Sequence, residues 1–194
     1  MKTYEDIVNF HGHSCPGLAL GYRVSLRALS EFKGRSEDEE LVAVVENSSC
    51  AVDAVQVMTG CTFGKGNLIF KDFGKQVYTF IKRPSGKSVR ISIHWQKPAE
   101  SDEDKAMWER YADGDRSRKV LSFVHSLKAA KTRHILDADE KSLMKVTKGW
   151  QELPKEARIY QSIQCEVCNE KVMEPRARVR SGKLLCIPCF EREE

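Results

Sequence analysis

The apolar residues in the first third of the chain recur at helical spacing and then give way to short apolar runs. Two helices are predicted, over residues 3–10 and 16–32. The second begins at Pro16 with Cys15 at its N-cap, because proline at the first helical position sacrifices no backbone hydrogen bond. The charged residues 34–40 that follow are predicted to form a solvated loop.

Short β-branched runs bounded by turn residues then predict a set of buried strands. A helix over residues 50–59, ended by Gly60, separates the first strand from the others. Residues 83–86 contain Pro-Ser-Gly and predict a hairpin between the last two strands. The predicted strands span residues 41–46, 67–70, 76–82 and 88–94.

The sequence changes character again from residue 100 to about residue 153, where apolar positions return at helical spacing among charged residues until Pro154. We predict a helical segment here. Helices, a run of strands and further helices are typical of an α+β fold, with a mostly antiparallel sheet packed against helices, rather than of a doubly wound sheet. We expect an α+β core domain with this helical extension over residues 1–155 and a small four-cysteine domain over residues 156–194.

Composition and charge exclude few classes of function. The chain of 194 residues has a formal charge of +4, which permits contact with nucleic acid or an acidic partner without requiring it. No apolar run reaches the roughly 18 residues that a membrane-spanning helix needs, and the first residues lack the apolar segment of a signal peptide. We therefore expect a cytoplasmic protein without membrane contact, where clustered cysteines hold metals or catalyse reactions more often than they form disulfides.

Four of the seven cysteines form two C-x2-C pairs near the C-terminus, with seventeen residues between the pairs. This spacing is typical of zinc ribbons and treble clefs, in which four thiolates bind zinc tetrahedrally. Because four protein ligands leave no open coordination position, we predict a structural zinc ion that supplies most of this domain's stability. A bound iron–sulfur cluster is the alternative. The predicted ligands are Cys165, Cys168, Cys186 and Cys189.

A second group of cysteines and histidines lies in the first third of the chain. The positive end of the helix after Cys15 would stabilise a thiolate there, and Asp53 shares a helix face with Cys50. Imidazole and thiolate together suit zinc, iron or nickel. A single buried cysteine is more often a small hydrophobe, but the number of these residues predicts a shared metal-binding or reactive pocket. The group comprises His11, His13, Cys15, Cys50, Asp53 and Cys61.

The segment Gly64-Lys65-Gly66 resembles a phosphate-binding loop only in part. Gly60 precedes Gly64 by one residue too few for that motif. The Ser or Thr that should follow the lysine is replaced by Gly66. A nucleotide-binding loop is therefore disfavoured.

Three segments that carry these residues resemble the motifs of the FmdE family of formylmethanofuran dehydrogenase proteins, many of whose members also have a C-terminal zinc module. The segments are residues 11–23 (beginning His-Gly-His-Ser-Cys-Pro-Gly), 46–56 (containing Asn-Ser-Ser-Cys-Ala-Val-Asp) and 59–67 (Thr-Gly-Cys-Thr-Phe-Gly-Lys-Gly-Asn). The resemblance is tight over residues 3–96 and returns over 160–194. It implies an α+β core with a zinc-finger-like tail, assembled as a homodimer. It also implies a connection with the subunits of the molybdenum or tungsten enzyme that reduces carbon dioxide onto methanofuran.

The match of motifs implies roles for individual residues. The catalytic candidates are His13, Cys15, Cys50, Asp53 and Cys61. The first three of these would also hold a second metal ion in the core. His11 is a candidate for binding a cofactor, and Lys65 for facing an anionic ligand.

Two functional hypotheses stay open. In the first, the chain is an enzyme or oxidoreductase subunit of one-carbon metabolism, in which a core metal polarises substrate or a thiolate acts directly. In the second, it is an accessory or regulatory protein whose zinc domain docks a partner and whose core binds a metal or pterin-like ligand. A variant in which Arg176, Arg178 and Arg180 contact nucleic acid is disfavoured, because such a basic stripe is more often a solvated face.

Overall fold

The computed structural model describes residues 2–32 and 34–192. The chain divides into two compact units, Met1–Glu156 and Ala157–Glu194. Within the described ranges, no helix combines the length and the apolar character that crossing a bilayer requires.

A five-stranded sheet forms the centre of the first unit. Its strands are β1 (Leu41–Val45), β2 (Leu68–Phe70), β3 (Val77–Lys82), β4 (Lys87–Ile93) and β5 (Met144–Trp150). The strand order is β2-β1-β3-β4-β5. β1 and β2 pair in parallel, whereas the other neighbours pair antiparallel. The prediction of an α+β fold with a mostly antiparallel sheet is confirmed.

Helices pack against this sheet and against one another. They are α1 (Tyr4–His11), α2 (Pro16–Phe32), α3 (Ala51–Thr59), α4 (Asp102–Ala112), α5 (Arg118–Asp137) and α6 (Glu140–Leu143). The α1 helix begins with a capping box, in which Thr3 and Asp6 satisfy each other's backbone N–H groups. α2 contacts α1, α3 and α5, and α4 packs along α5. α2 is therefore the helix around which this layer is organised.

The core of the first unit lies between the sheet and α2 and α3. Tyr78 and Phe80 of the central strand β3 are completely buried, as are Val24 of α2 and Val55 of α3. Burying each such side chain contributes roughly 1.5–3 kcal/mol. The apolar runs that predicted the strands therefore also supply the driving force for packing the site-bearing helices.

Arg23 joins α2 to the C-terminal end of α5. Its guanidinium donates hydrogen bonds to the backbone carbonyl oxygens of Ile135 at 2.8 Å and of Leu136 and Ala138 at 2.7 Å. The last carbonyl groups of a helix lack partners within the helix, so Arg23 supplies them. This residue, which closes the first motif, has a structural role.

The prediction of helix over residues 100–153 is wrong at its C-terminal end. Residues 144–150 form the edge strand β5, in which Val146 lies opposite Ile91 and Met144 opposite Ile93 of β4. The apolar positions of this segment fit a helix in isolation. Pairing with a neighbouring strand decides the outcome, because β-structure depends strongly on its tertiary context.

The second unit is built from short elements around four cysteines. Its strands are β6 (Ser162–Gln164), β7 (Lys171–Met173), β8 (Arg178–Arg180) and β9 (Lys183–Leu185), followed by helix α7 (Ile187–Glu191). β6 pairs with β7 and β8 with β9, both antiparallel. Residues 174–176 form a 3-10 turn, so the strand predicted to start at Arg176 begins at Arg178 instead.

Candidate metal centre and adjoining pocket

Two glycines of α2 allow the start of α3 to approach closely. A Cβ atom at Gly21 would collide with the carbonyl oxygen of Ala51, and one at Gly17 would lie 3.3 Å from the Cβ of Cys50. Cys15 immediately precedes α2, and Cys50 immediately precedes α3. The absence of side chains at the two glycines therefore lets the cysteines meet.

His11, Cys15 and Cys50 converge at this point. One ligand atom from each residue lies within 4.8 Å of the others. All three residues are partly buried, and His11 is the last residue of α1. A zinc ion with bonds of about 2.3 Å to sulfur and about 2.0–2.1 Å to nitrogen can be held at such separations with small side-chain adjustments. The group can therefore bind a metal ion through three protein ligands.

The hydrogen bonding of His11 leaves one ring nitrogen available. Its Nδ1 atom lies 2.7 Å from Oδ2 of Asp53. Because a carboxylate only accepts hydrogen bonds, Nδ1 carries the proton and Nε2 of the neutral ring keeps its lone pair. Nε2 is buried without a hydrogen-bond partner, which costs about 1–3 kcal/mol. A carboxylate that orients an imidazole in this way is typical of metal-ligating histidines.

The two thiols of the group interact electrostatically. Sγ of Cys15 accepts the backbone N–H of Leu18 at 3.4 Å, at the positive end of α2. Burial raises the pKa of the Cys50 thiol, and the charge of the neighbouring Cys15 raises that pKa further. Two thiolates side by side therefore repel each other, and a bound cation would remove that repulsion.

His13, which the sequence favoured as a metal ligand, lies outside the group. Its side chain is exposed, and its ring packs against that of His11 with the centroids 4.6 Å apart. The histidine that accompanies Cys15 and Cys50 is His11, for which a cofactor-binding role was predicted. Asp53, predicted to be catalytic, contacts the group only through His11.

Cys61 and Lys65 are not brought to the group either. Cys61 is completely buried, its thiol donates a hydrogen bond to the carbonyl oxygen of Leu41 at 3.2 Å, and burial raises the pKa of this thiol to about 11. The Lys65 ammonium donates to the carbonyl oxygens of Glu37 at 3.0 Å and Asp38 at 2.9 Å. The structure corrects the predicted roles: Cys61 is a residue of the core, and Lys65 holds a loop.

A pocket with a volume of about 380 Å³ opens beside His11, Cys50 and Asp53. Phe63 and Phe70 line it and expose 77% and 45% of their surface. Reasoning from the sequence missed both phenylalanines. Phe63 carries a signal, because it is an aromatic residue in a glycine-rich segment, whereas Phe70 resembles any strand residue. A larger cavity of about 830 Å³ elsewhere in the first unit is lined by none of the predicted site residues.

The four cysteines of the second unit form a separate group. Their sulfur atoms all lie within 4.8 Å of one another, and Sγ of Cys168 is 3.8 Å from Sγ of Cys186. A tetrahedron with Zn–S bonds of about 2.3 Å has edges of about 3.8 Å. Backbone N–H groups of Cys168 and Cys186 lower the pKa of Cys165 to about 6, which favours a thiolate. These residues fit a structural zinc ion with no open coordination position.

The basic stripe of the second unit is not a uniform free face. The Arg180 guanidinium donates to the carbonyl oxygens of Phe190 and Arg192 at 2.9 Å and of Cys189 at 3.3 Å. It also lies 5.9 Å from the centroid of the Phe190 ring. Arg180 therefore ties β8 to α7, which leaves Arg176 and Arg178 without their third member.

Two protein-family profiles match the chain. One, described as "FmdE, Molybdenum formylmethanofuran dehydrogenase operon", matches residues 10–145. The other, described as a prokaryotic dksA/traR C4-type zinc finger, matches residues 158–194. The first match contains the group around His11, and the second contains the four cysteines of the tail.

A curated protein and a solved structure are also similar to the chain. A "probable S-adenosyl-L-methionine-binding protein" of Archaeoglobus fulgidus is 31% identical over 202 residues, which cover 93% of this chain and 50% of that protein. The chain thus spans about half the length of this relative. A crystal structure of an FmdE-like protein of tungsten formylmethanofuran dehydrogenase, from Syntrophus aciditrophicus, aligns with a TM-score of 0.61 and 23% identity. That alignment covers 98% of this chain and 93% of the other, and it shows a shared fold.

Proposed function

Because the chain belongs to the FmdE family and carries a four-cysteine zinc finger, we propose that its core is a second metal centre. His11, Cys15 and Cys50 are its protein ligands. The pocket beside them admits the small molecule on which the centre acts. The protein is thus a two-metal protein, with a structural ion in the tail and a reactive ion in the core.

The observation that carries this proposal is the buried Nε2 atom of His11, which has no partner. Asp53 fixes the other ring nitrogen, so the imidazole cannot relieve the unpaired atom by turning without losing that bond. Packing alone gives no reason to bury an imidazole nitrogen beside two thiols. Three ligands of this type suit zinc and leave one coordination position open.

The residues around the centre divide its work. When bound, the ion would supply a Lewis acid to a ligand in the pocket. Asp53 holds the proton at Nδ1 of His11 and orients the ring. The apolar walls of the pocket keep water away and thereby strengthen electrostatic interactions at the centre.

Metal analysis tests the proposal. The purified chain, loaded anaerobically with zinc and dialysed, should hold two metal equivalents. The variants His11→Ala, Cys15→Ala and Cys50→Ala should each hold one, because the tail keeps its ion. Cys61→Ala is the matched control and should still hold two, since this cysteine lies outside the group. A wild-type chain with a single equivalent would refute a core metal centre.

We extend the proposal to a role in one-carbon redox metabolism, as a subunit or relative of molybdenum or tungsten formylmethanofuran dehydrogenase. Support comes from the description of the family and from the name of the Syntrophus protein that shares the fold. The alternative is an accessory protein, whose zinc unit docks a partner and whose core binds a ligand without catalysis.

Purification of the tagged chain from its own cells under anaerobic conditions distinguishes these two roles. Stoichiometric molybdenum or tungsten together with dehydrogenase subunits would support a role as part of the enzyme. A chain that elutes without either would favour the accessory role. Light scattering on the same sample tests the homodimer that we also propose.

S-adenosyl-L-methionine is a second candidate ligand, because the relative from Archaeoglobus is named for it. The phenyl rings of Phe63 and Phe70 line the pocket, and aromatic faces attract cations such as a sulfonium. Equilibrium dialysis can compare it with S-adenosylhomocysteine, the neutral thioether. Tighter binding of the sulfonium would support this candidate, and equal or absent binding of the two would count against it.

A further inference from the structure

The walls of the pocket beside His11 and Cys50 present more apolar surface than the metal centre needs. Val45 and Leu68 are buried at its base. Phe63 and Phe70 line it while remaining substantially exposed, at 77% and 45%. Exposed aromatic side chains lose favourable burial, roughly 25 cal/mol for each Å² left in water. A ligand with its own apolar ring would recover that energy.

The polar side chains at the rim are already engaged. Asn47 donates to the carbonyl oxygen of Lys75 at 2.9 Å and accepts the hydroxyl of Ser49 at 2.7 Å. Oε1 of Gln56 accepts the backbone N–H of Phe63 at 3.1 Å. These bonds fix the shape of the pocket and leave few groups for hydrogen bonding to a polar ligand. The metal-facing end is then the main polar contact available.

The charges around the pocket argue against phosphate-bearing ligands. Among the described residues 2–32 and 34–192, no lysine or arginine lines it, and its one carboxylate is Asp53. Lys65 belongs to the same glycine-rich segment as Phe63, but its ammonium is bound to backbone carbonyl groups. A phosphate placed here would lose its hydration without gaining a cationic partner from the side chains.

We infer that this pocket binds an organic ligand that carries an unphosphorylated aromatic ring and a single metal-binding head group. For its metal-facing end the inference rests on the proposed core metal centre. Phe63 and Phe70 provide the surface for the ring, and the open coordination position receives the head group. The volume of about 380 Å³ is at the small end of the range for small-molecule pockets, which suits one ring system with a short substituent.

The test compares two probes that share a head group. Acetohydroxamate and benzohydroxamate both bind metals, but only the second carries a ring. In the cobalt-loaded full-length chain, only an ion with an open coordination position should change its visible spectrum on addition of either probe. The cobalt ion in the four-cysteine tail is therefore silent. Benzohydroxamate should bind at least about tenfold more tightly than acetohydroxamate.

Variants then locate the ring. Phe63→Leu and Phe70→Leu should each weaken benzohydroxamate about 2- to 12-fold, the range for an aromatic pair, and leave acetohydroxamate unchanged. Phe73→Leu is the matched control, because Phe73 is 58% exposed but does not line the pocket. Phenyl phosphate, which carries the same ring on a dianionic head, should not displace benzohydroxamate at equal concentration.

The outcomes separate this inference from the proposed function. Equal affinity for the two hydroxamates, or displacement by phenyl phosphate, overturns the ring pocket and leaves the metal centre standing. A spectrum unchanged by either probe means that the proposed metal centre has failed. In that case saturation-transfer NMR with benzamide, which needs no metal, decides the pocket: a signal lost in Phe63→Leu and Phe70→Leu supports it, and no signal in the wild type overturns it.

Discussion

Oδ2 of Asp53 lies 2.7 Å from Nδ1 of His11, so that a carboxylate on α3 orients an imidazole at the end of α1. The carboxylate is partly exposed, whereas the imidazole is mostly buried. The pair positions the free Nε2 atom of His11 beside Cys15 and Cys50.

Removing this carboxylate should weaken metal binding in the core. We expect Asp53→Ala to lower the affinity of the core ion about 10- to 100-fold, the usual effect of losing a residue that orients a metal-bound histidine. Competition with a chromophoric chelator measures this affinity, and the tail ion serves as an internal standard. Asp72→Ala, which removes an exposed aspartate, should leave both affinities unchanged. Equal affinity in Asp53→Ala and the wild type would show that Asp53 does not orient a ligand.

Adding one methyl group at Gly21 should separate α2 from α3. The new Cβ would meet the backbone of Ala51, which cannot move as a flexible side chain can, so we expect a loss of about 1–3 kcal/mol of unfolding free energy. Denaturant unfolding monitored by circular dichroism measures this loss. Because the same contact brings Cys15 and Cys50 together, the core ion should also bind more weakly.

Gly149→Ala provides the comparison for that experiment. No atom lies within 4 Å of a Cβ built at Gly149, so its stability should change by no more than about 0.5 kcal/mol. Similar losses in both variants would mean that the approach of α2 to α3 is not the limiting contact.

The cysteines of the first unit should differ in their reactivity toward alkylating reagents. The pKa of Cys61 is raised to about 11 by burial, so this group remains a thiol at pH 8 and becomes a thiolate only as the pH rises through about 11. A short pulse of iodoacetamide on metal-free protein at pH 8 should therefore label Cys15 and Cys50 and spare Cys61. Peptide mass spectrometry reads the result, and added zinc should protect the two labelled cysteines. Rapid labelling of Cys61 would contradict the burial described above.

Removing zinc from the second unit should unfold that unit alone. Its few buried residues are largely the cysteines themselves, and a small domain of this kind depends on its metal for folding. We expect Cys186→Ala, or a strong chelator, to abolish hydrogen-exchange protection in β6 to β9 while β1 to β5 remain protected. Persistent protection in β6 to β9 without metal would contradict a structural role for the ion.

Local sequence signals were sufficient for the parts of this protein that are held together locally. The two C-x2-C turns and the capping residues of α1 and α2 act within a few positions, so their patterns predict their structures. β5 could not be found in this way. Its apolar residues become a strand only because β4 offers an edge to pair with.

The site shows the same limit at the level of single residues. Spacing alone cannot distinguish His11 from His13, since both lie close to Cys15. Gly12 decides between them: it ends α1 in the left-handed conformation, with φ of 94°, so that His11 stays on the packed helix and His13 follows the turn into solvent. The meeting of Phe63 and Phe70 at the pocket likewise depends on how distant segments pack.

The anchoring of Lys65 has a consequence for how such sequences are interpreted. Its ammonium bridges the carbonyl oxygens of Glu37 and Asp38, and this same loop is joined to the end of α3 by the bond from Ser36 N–H to the Thr59 carbonyl oxygen. Acetylation of Lys65 would thus uncouple two surface segments instead of abolishing anion capture. A glycine-lysine-glycine signature can mark a clasp between loops, and searches that treat it as evidence of nucleotide chemistry will misassign proteins of this kind.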